Sequence, residues 1–363
     1  MSASAGGRSY EHRFGSGEPF RIGIEEELLL VDADSHALAH LADQVLPGIE
    51  LPRERADHEA FLCEVEVRSE PRSNAGDAVA DLAEGRAAIL QAGGTPMAVG
   101  VHPAAEFGDV RLVDAERYRR VEGQMRGLIR RTPECALHVH VGMPSPDAAV
   151  AALMGLREAL PLVGALGAGS PYWFGIDSGL ASARSAIVRS YPGRGLPPAL
   201  RGWADYQEAV EAIAMGGGPE EYTMVWWDAR LQPRLGTIEL RELDVQTGLV
   251  EAAGIAALVH AIAKRAAEEP PSEPAPAEAL HWSSFRAVRD GLEAELLFRG
   301  RLRSVREAAR ELLDELSGSD DALDGVEKIL REGGAPRLQR AIRQRDGMHA
   351  LLRHLAGQTA QPL

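Results

Sequence analysis

Acidic, imidazole and guanidinium side chains recur at every second position in four short segments of this sequence. Side chains two residues apart share one face of a β-strand. Each segment therefore predicts a strand with one apolar face and one face that carries groups able to bind metals or anions. The segments are Arg21–Asp32 with Glu25 and Glu27, Phe61–Arg68 with Glu64 and Glu66, Ala136–Gly142 with His138 and His140, and Thr237–Glu242 with Glu239 and Arg241.

The glutamates of these strands favour a site for a hard divalent cation. A solvated antiparallel sheet is the simpler explanation of any one strand, but the polar positions are mostly Glu and His, not Lys, Thr, Ser and Gln. Two carboxylates ~4 Å apart repel by about 4 kcal/mol at an effective dielectric of about 20. If the glutamates converge on one face, a counter-charge must hold them there. Oxygen ligands with an occasional imidazole suit Mg²⁺ or Mn²⁺.

The His138-Val139-His140 sequence leaves a second chemistry open. Two histidines on one strand face also occur in zinc hydrolases. Zinc usually takes three or four N or S ligands, and neither Cys63 nor Cys135 has a CxxC or similar spacing. Cys63 falls on the apolar face of its strand, which predicts a small core residue. A metal-dependent hydrolase therefore remains an alternative at this point.

Helical segments must position these strands. Apolar periodicity predicts helices over Asp77–Gln91, Asp114–Arg130, Pro146–Leu166 and Gly248–Glu268, and helical spacing continues through Arg301–Leu316. The organisation predicted from these patterns is a flexible N-terminus (1–18), a catalytic α+β domain (19–266), a Pro/Glu-rich linker or loop (267–279), a helical C-terminal part packed on the same unit (280–357) and a tail (358–363).

Composition narrows the class of partners. The 39 basic and 54 acidic residues give a net charge of −15, which argues against nucleic acid or an anionic membrane as a partner. No apolar run approaches the ~20 residues of a membrane helix, and the first residues lack the apolar core of a secretory signal. Two cysteines make no disulfide framework, which predicts a cytoplasmic protein. A homodimer is left open.

Several motifs, in order, resemble the glutamate–cysteine ligase type 2 family, also called carboxylate–amine ligases. The resemblance covers about residues 18 to 300 and includes Trp282 to Leu292. The motifs that carry it are Gly23-Ile-Glu-Glu-Glu-Leu, Val65-Glu-Val-Arg-Ser, His138-Val-His-Val-Gly, Ser170-Pro-Tyr-Trp-Phe-Gly-Ile-Asp-Ser-Gly-Leu-Ala-Ser-Ala-Arg184, and Trp226-Trp-Asp-Ala-Arg followed by Gly236-Thr-Ile-Glu-Leu-Arg241.

The resemblance implies a glutamine-synthetase-like α+β fold, in which a curved, mainly antiparallel sheet has helices packed on its convex side. It further implies an ATP- and Mg²⁺-dependent ligase, with Mn²⁺ also possible as the cation, that joins a side-chain carboxylate to an amine through an acyl phosphate and releases ADP and phosphate. The substrates it implies are L-glutamate and L-cysteine. A non-catalytic binding member of the same fold is the remaining alternative.

Residue roles follow from the resemblance and from the chemistry of the side chains. The metal ligands implied are Glu25, Glu27, Glu59, Glu66, His138 and Glu239. The chain has no GxxxxGK[ST] loop, so arginine forks are expected to bind phosphate and carboxylate. The candidates are Arg241, His138 and Arg184 for catalysis, Arg189, Arg230, Arg241 and Trp227 for the nucleotide, and His140, Arg184 and Glu64 for the substrate.

Departures from the family pattern concern substrate specificity. The family commonly has Thr at Ser69, a cysteine-containing continuation at Glu70-Pro71-Arg72, Pro-His at Leu231-Gln232 and an aromatic residue at Val188. None of these positions is a proposed metal ligand.

Overall fold

The computed structural model describes residues 11–219, 222–271 and 273–363. The strands in this part of the chain are Ile22–Leu30 (β1), Ala56–His58 (β2), Glu64–Arg68 (β3), Pro96–Met97 (β4), Ala136–Gly142 (β5), Tyr172–Trp173 (β6), Ile176–Asp177 (β7), Ala229–Gln232 (β8), Thr237–Asp244 (β9), Glu295–Phe298 (β10) and Arg301–Ser304 (β11). The helices are Ala42–Val45 (α1), Ala75–Gln91 (α2), Glu116–Met125 (α3), Pro146–Leu166 (α4), Ala183–Val188 (α5), Trp203–Met215 (α6), Leu249–Glu268 (α7), Ala277–Asp290 (α8), Val305–Glu315 (α9), Asp324–Glu332 (α10), Gly334–Asp346 (α11) and Met348–Thr359 (α12).

Seven strands form one antiparallel sheet. Its order is β2-β3-β1-β5-β9-β8, and β4 pairs with β1 on the side opposite β3, since Leu29 pairs with both Glu64 and Met97. Directly opposed residues of antiparallel strands lie on the same face. Glu25 pairs with His138 and Arg68, and His140 pairs with Glu239. The register therefore places the polar residues of four strands on one face, as their alternation predicts.

Helices cover the other face. α2 contacts β1 and β3, α4 contacts β8 and β9, and α7 contacts β5 and both of these helices. α2 lies so near β3 that a Cβ on Gly85 would be 2.2 Å from Val67 Cγ1. The predicted α+β class, with an antiparallel sheet and helices on one side, is confirmed. The hydrophobic core also includes Leu312 and Leu355 from the C-terminal helices.

One described helix, α4, is long and apolar enough to cross a membrane by those criteria alone. However, 78% of its most apolar window is buried inside the protein, and it packs on α7, α8 and β9. Its Ser145 side chain accepts a hydrogen bond from the backbone N–H of Ala148 and caps the helix, and Pro146 occupies the first turn. α4 is thus a core helix.

The structure corrects several predicted boundaries. Arg301–Ser304 is a strand, because these residues pair with β10, and the helix begins only at Val305, where Ser304 forms a capping box with Glu307. The predicted helix Asp114–Arg130 is shorter, since α3 ends at Met125, before Arg126 with φ 53°. The strand predicted from Phe61 begins at Glu64.

The predicted bounds of the flexible N-terminus and of the linker also differ from the structure. Residues 1–10 of the predicted flexible N-terminus and Ser272 of the predicted linker lie outside the described residues. Within the described part, Phe14 is buried in the core, and the Gly15 N–H donates to the Met143 carbonyl at 2.9 Å. The chain is therefore anchored before residue 18. α8 begins at Ala277, inside the predicted linker 267–279.

A buried ion pair joins the sheet to α2. Glu26 points away from Glu25 and Glu27, and neither its side chain nor that of Arg86 is more than 2% exposed. Arg86 donates from Nε to Glu26 Oε1 at 2.9 Å and from Nη2 to Glu26 Oε2 at 2.6 Å. It also donates to the carbonyls of Gln246 and Thr247, each at 2.8 Å. One guanidinium thus fixes β1, α2 and the segment after β9 together.

This pair makes a stability prediction. Arg86→Met leaves the Glu26 carboxylate buried without its partner, so we expect the free energy of unfolding to fall by about 3–5 kcal/mol. Denaturant unfolding followed by circular dichroism measures it. The exposed pair Arg265–Glu315 is the control, where Arg265→Met should cost about 0–1 kcal/mol. Equal losses in the two variants would contradict a structural role for the buried pair.

Candidate active site

Two groups of three potential metal ligands lie side by side on the polar face of the sheet. One consists of Glu25, Glu66 and His138, and the other of Glu27, Glu59 and Glu66. Within each group, one ligand atom per residue lies within 4.8 Å of the other two. Glu66 belongs to both groups. The structure therefore brings together five of the six predicted metal ligands.

The two histidines of β5 flank Glu25. His138 Nδ1 lies 3.5 Å and His140 Nε2 3.6 Å from Glu25 Oε2. Burial and the positive charge of Arg241 lower the pKa of His138 to about 3, so its imidazole is neutral, as a metal ligand must be. Burial opposes protonation of His140 as well, but the charges of Glu25 and Glu239 raise its pKa.

Glu25 and Glu27 are two residues apart but differ in protonation. Burial alone would raise the pKa of Glu25, yet its contacts with His140 and His138 hold that pKa well below the usual range. Burial and the charge of Glu59 raise the pKa of Glu27 to about 8, although the Ala136 N–H donates to its Oε2 at 2.6 Å. Burial also raises the pKa of Glu59. At Glu27 and Glu59, burial thus outweighs the charges of the nearby arginines, which include Arg241.

The donor chemistry of these groups fits a hard divalent cation. Each offers carboxylate oxygens, and one adds a neutral imidazole. Nε2 of His138 is buried without a hydrogen-bond partner among the described residues and lies 3.8 Å from Glu27 Oε1. An unpartnered nitrogen among carboxylate oxygens offers a lone pair that fits a cation bound by this group.

Glu239 is neutralised by arginine. Arg230 Nε donates to its Oε2 at 2.8 Å, Gln232 Nε2 donates to the same oxygen at 2.6 Å, and Arg241 Nη1 donates to Oε1. Burial opposes ionisation, but Arg230 and Arg241 hold the pKa of Glu239 well below its usual range. Glu239 is not in either three-ligand group. The sixth predicted ligand therefore lies beside the cation groups with its charge already balanced.

A pocket opens beside the Glu27–Glu59–Glu66 group, and we call it the central pocket. Its lining includes Glu27, Glu59, Glu64, His138, Arg184 and Arg241. Arg184 is 1% exposed and donates from Nη1 to the Glu242 carbonyl at 3.1 Å. Nε of Arg184 and Nε of Arg241 are buried without hydrogen-bond partners. Fixed guanidinium groups with unused donors suit an anionic substrate.

A β-bulge in β9 includes Arg241, which lines the pocket. Val139 pairs with Leu240 and Leu137 pairs with Leu243, so two residues of β9, Arg241 and Glu242, lie opposite the single residue His138. The extra residue shifts the alternation of β9 by one position, which keeps Leu240 and Leu243 both in the core. Bulges of this kind re-aim side chains near active sites.

Three predicted nucleotide ligands lie outside the pocket lining. Trp227 is in the main core, where its ring centroid is 6.4 Å from that of Tyr206, and its neighbour Trp226 lines the pocket instead. Arg189 donates from Nη2 to Glu242 Oε1 at 3.1 Å. Arg230 is bound to Glu239 and to the Val225 carbonyl. His140, predicted as a substrate ligand, is also absent from the pocket lining, and its Nδ1 lies 3.1 Å from Thr237 Oγ1.

The pocket also contains residues that the alternation of the strands does not indicate. They include Arg117 and Tyr118 on α3, Glu134 before β5, and Tyr191 and Arg194 after α5. Glu64, predicted as a substrate ligand, is 1% exposed at the inner wall, where the Cys135 thiol lies 3.7 Å from its Oε1. Burial, with the charges of Glu27 and Glu59, raises the pKa of Glu64 well above its usual value.

Comparisons with known proteins agree with this geometry. A curated relative from Rubrobacter xylanophilus, provisionally named glutamate–cysteine ligase 2-3, is 35% identical over 365 residues and covers 96% of this chain and 100% of its own. Among solved structures, a Francisella tularensis glutamate–cysteine ligase in complex with AMP matches with a TM-score of 0.70 and 14% identity over 97% of this chain and 90% of its own.

A Pasteurella multocida bifunctional glutathione synthetase matches with a TM-score of 0.66 and 15% identity, covering 94% of this chain and 51% of its own. At such identities the likeness shows the fold alone. The model of the family described as glutamate–cysteine ligase family 2 matches residues 21–356. The chain therefore belongs to glutamate–cysteine ligase family 2 and is an enzyme of the carboxylate–amine ligase type.

Proposed function

We propose that this enzyme is an ATP- and Mg²⁺-dependent ligase that joins the side-chain carboxylate of an amino acid to an amine through an acyl phosphate. L-Glutamate and L-cysteine are the first candidates for the two substrates, and ADP and phosphate are the co-products. The observation that supports it best is the pair of oxygen-rich cation groups that share Glu66 beside buried arginines. Its family membership supports the same reaction class.

Acidic and basic residues have different roles in the proposed phosphoryl transfer. Glu25, Glu27, Glu59, Glu66 and His138 would hold divalent cations, here Mg²⁺ or Mn²⁺. Such cations, when bound, neutralise and position the phosphates of a nucleotide. Arg241 and Arg184 present guanidinium groups to the pocket, where they bind phosphate oxygens or the substrate carboxylate. Little covalent assistance is needed, because positioning and charge neutralisation lower the barrier.

We infer the partners and the compartment of the enzyme from its charge, its cysteines and its reaction class. A net charge of −15 favours small-molecule substrates, ATP and amino acids, over nucleic acid or anionic membranes. The buried thiols of Cys63 and Cys135 suit a reducing cytoplasm. A homodimer is the assembly to test first.

The first prediction concerns the cation. Chelation should abolish ADP release, because the ligand carboxylates then repel the phosphates, and Mg²⁺ or Mn²⁺ should restore it. A coupled ADP assay after treatment with a chelator measures this. Restoration by stoichiometric zinc of a hydrolytic activity that needs no ATP would instead support a metal-dependent hydrolase.

Two candidate ligands should have opposite effects on stability in the metal-free protein. Glu27 has a folded pKa of about 8, against about 4.5 for an ordinary glutamate, so its ionisation destabilises the fold as pH rises through that window. Glu27→Gln should therefore be more stable than wild type at about pH 9, by a few kcal/mol at most, and equal to it below about pH 4.

Glu239→Gln should behave in the opposite way. The folded pKa of Glu239 is depressed, so its stabilisation is present above the unfolded value of about 4.5 and disappears as pH falls through the folded pKa. Loss of its charge leaves Arg230 and Arg241 uncompensated, at a cost of about 3–5 kcal/mol at neutral pH. Urea unfolding with a chelator measures both variants, and the same sign for both would contradict this charge distribution.

Hydroxylamine tests the intermediate. It attacks acyl phosphates, so with ATP, Mg²⁺ and glutamate the enzyme should form a hydroxamate and release ADP. Glu66→Gln, which removes the ligand shared by both groups, should lose most of this activity. Glu311→Gln, on the surface beside Arg299, is the control and should keep it. Release of AMP and pyrophosphate would contradict the mechanism, because it would show adenylation of the carboxylate.

A further inference from the structure

A carboxylate outside the cation groups lines the central pocket. Glu134 lies two residues before β5 and lines the pocket with Glu27, Glu64 and Arg184. The Tyr191 hydroxyl donates to Glu134 Oε2 at 2.7 Å. The Tyr191 ring in turn lies under the Arg131 guanidinium, whose carbon is 5.5 Å from the ring centroid. Glu134 is thus held in one orientation from behind.

The reaction proposed above needs a proton acceptor that is not a metal ligand. An amino-acid amine reaches the enzyme as an ammonium ion, which cannot attack a carbonyl carbon. Of the carboxylates that line the pocket, Glu27 and Glu59 belong to a cation group. Glu64 is almost fully buried beside Cys135, and burial holds its pKa well above the usual value, which favours the neutral form. Of these four, Glu134 alone is available as a base.

The environment of Glu134 balances two effects. Burial raises its pKa to about 7, while the Tyr191 hydrogen bond and the charges of Arg184, Arg194 and Arg131 limit the rise. A general base is most effective when its pKa is near the working pH, because it is then both largely deprotonated and able to hold a proton. Glu134 meets this condition at the pocket wall.

We propose that Glu134 is the general base that deprotonates the incoming amine, an inference that rests on the proposed ligase function. Glu134 takes one proton from the ammonium group, and the freed lone pair forms the C–N bond to the activated carboxyl carbon. The C–O bond to phosphate breaks, and the second nitrogen-bound proton leaves with the phosphate. Tyr191 is a positioning residue that holds the Glu134 carboxylate toward the amine.

The central experiment compares two nucleophiles. Hydroxylamine is a weaker base than an amino-acid amine and is largely unprotonated at neutral pH, so it does not need Glu134 to remove an ammonium proton. In Glu134→Gln, kcat with the amino-acid amine should fall by about 10²-fold or more, whereas hydroxamate formation should fall far less. Glu311→Gln should change neither rate.

The pH profile gives an independent readout. In wild type, kcat for amide formation should rise as pH increases through about 7, because the Glu134 carboxylate becomes deprotonated, and Glu134→Gln should lack this rise. The Tyr191 hydrogen bond lowers the pKa of Glu134, so Tyr191→Phe should keep the rise but move it to higher pH. A residue with only a structural role would not shift the profile in this way.

The outcomes separate this inference from the proposed function. If wild type releases no ADP with any amino-acid pair, the ligase function itself fails. If wild type is active, but Glu134→Gln loses amide and hydroxamate formation in equal proportion, Glu134 is not the base. An unchanged pH profile in a folded, active Glu134→Gln or Tyr191→Phe enzyme would overturn the proposal as well.

Discussion

Repulsion among carboxylates on one face of a sheet is the constraint on which this structure depends. Glu25, Glu27, Glu59 and Glu66 crowd together, and each pair of ionised carboxylates at such distances costs several kcal/mol. The protein relieves the repulsion in two ways. Arginine neutralises Glu239, whereas Glu27 and Glu59 have raised pKa values. Arg68 pairs with Glu66 and Glu25, so among the described ion pairs Glu27 and Glu59 are the carboxylates without an arginine partner, and a cation suits them best.

The opposite face of the same sheet holds this arrangement in place. Ile24, Leu28, Val65, Val67 and Val139 are fully buried against the helices. Of the three consecutive glutamates in β1, Glu26 alone points to this apolar face. Its bidentate pair with Arg86 ties β1 to α2 and to the segment after β9. Since β1 and β9 both border β5, this pair fixes the spacing of the strands that carry the ligands.

The sequence was enough to predict the residues whose placement follows from local periodicity. Alternation on β1 and β5 put Glu25 with Glu27 and His138 with His140, and the register of the sheet joins these pairs. The same rule does not predict the bulge in β9 or that Trp226, not Trp227, lines the pocket. Arg301–Ser304 has helical spacing but pairs as a strand, because β10 offers it backbone partners.

Glu134 and Tyr191 lie beyond such local rules, because 57 residues separate them along the chain and only the tertiary fold brings them together. Neither residue belongs to an alternating segment. Glu59 is a similar case, because it reaches its cation group from the loop between β2 and β3. Spacing gives no signal for contacts of this kind. Their best indication in the sequence is a polar residue immediately beside a strand that carries other candidate ligands, as Glu134 is beside β5.

The site therefore combines two different electrostatic tasks. Near Glu66, several carboxylates share a small volume and require positive charge, which suits the phosphates of a nucleotide only once cations are bound. Glu134 lines the central pocket with a pKa near neutrality, and Arg184 lines the same pocket. A ligase that activates one substrate as an anion and deprotonates another as a cation must keep these tasks apart. Here different residues carry them, His138 within β5 and Glu134 two residues before it.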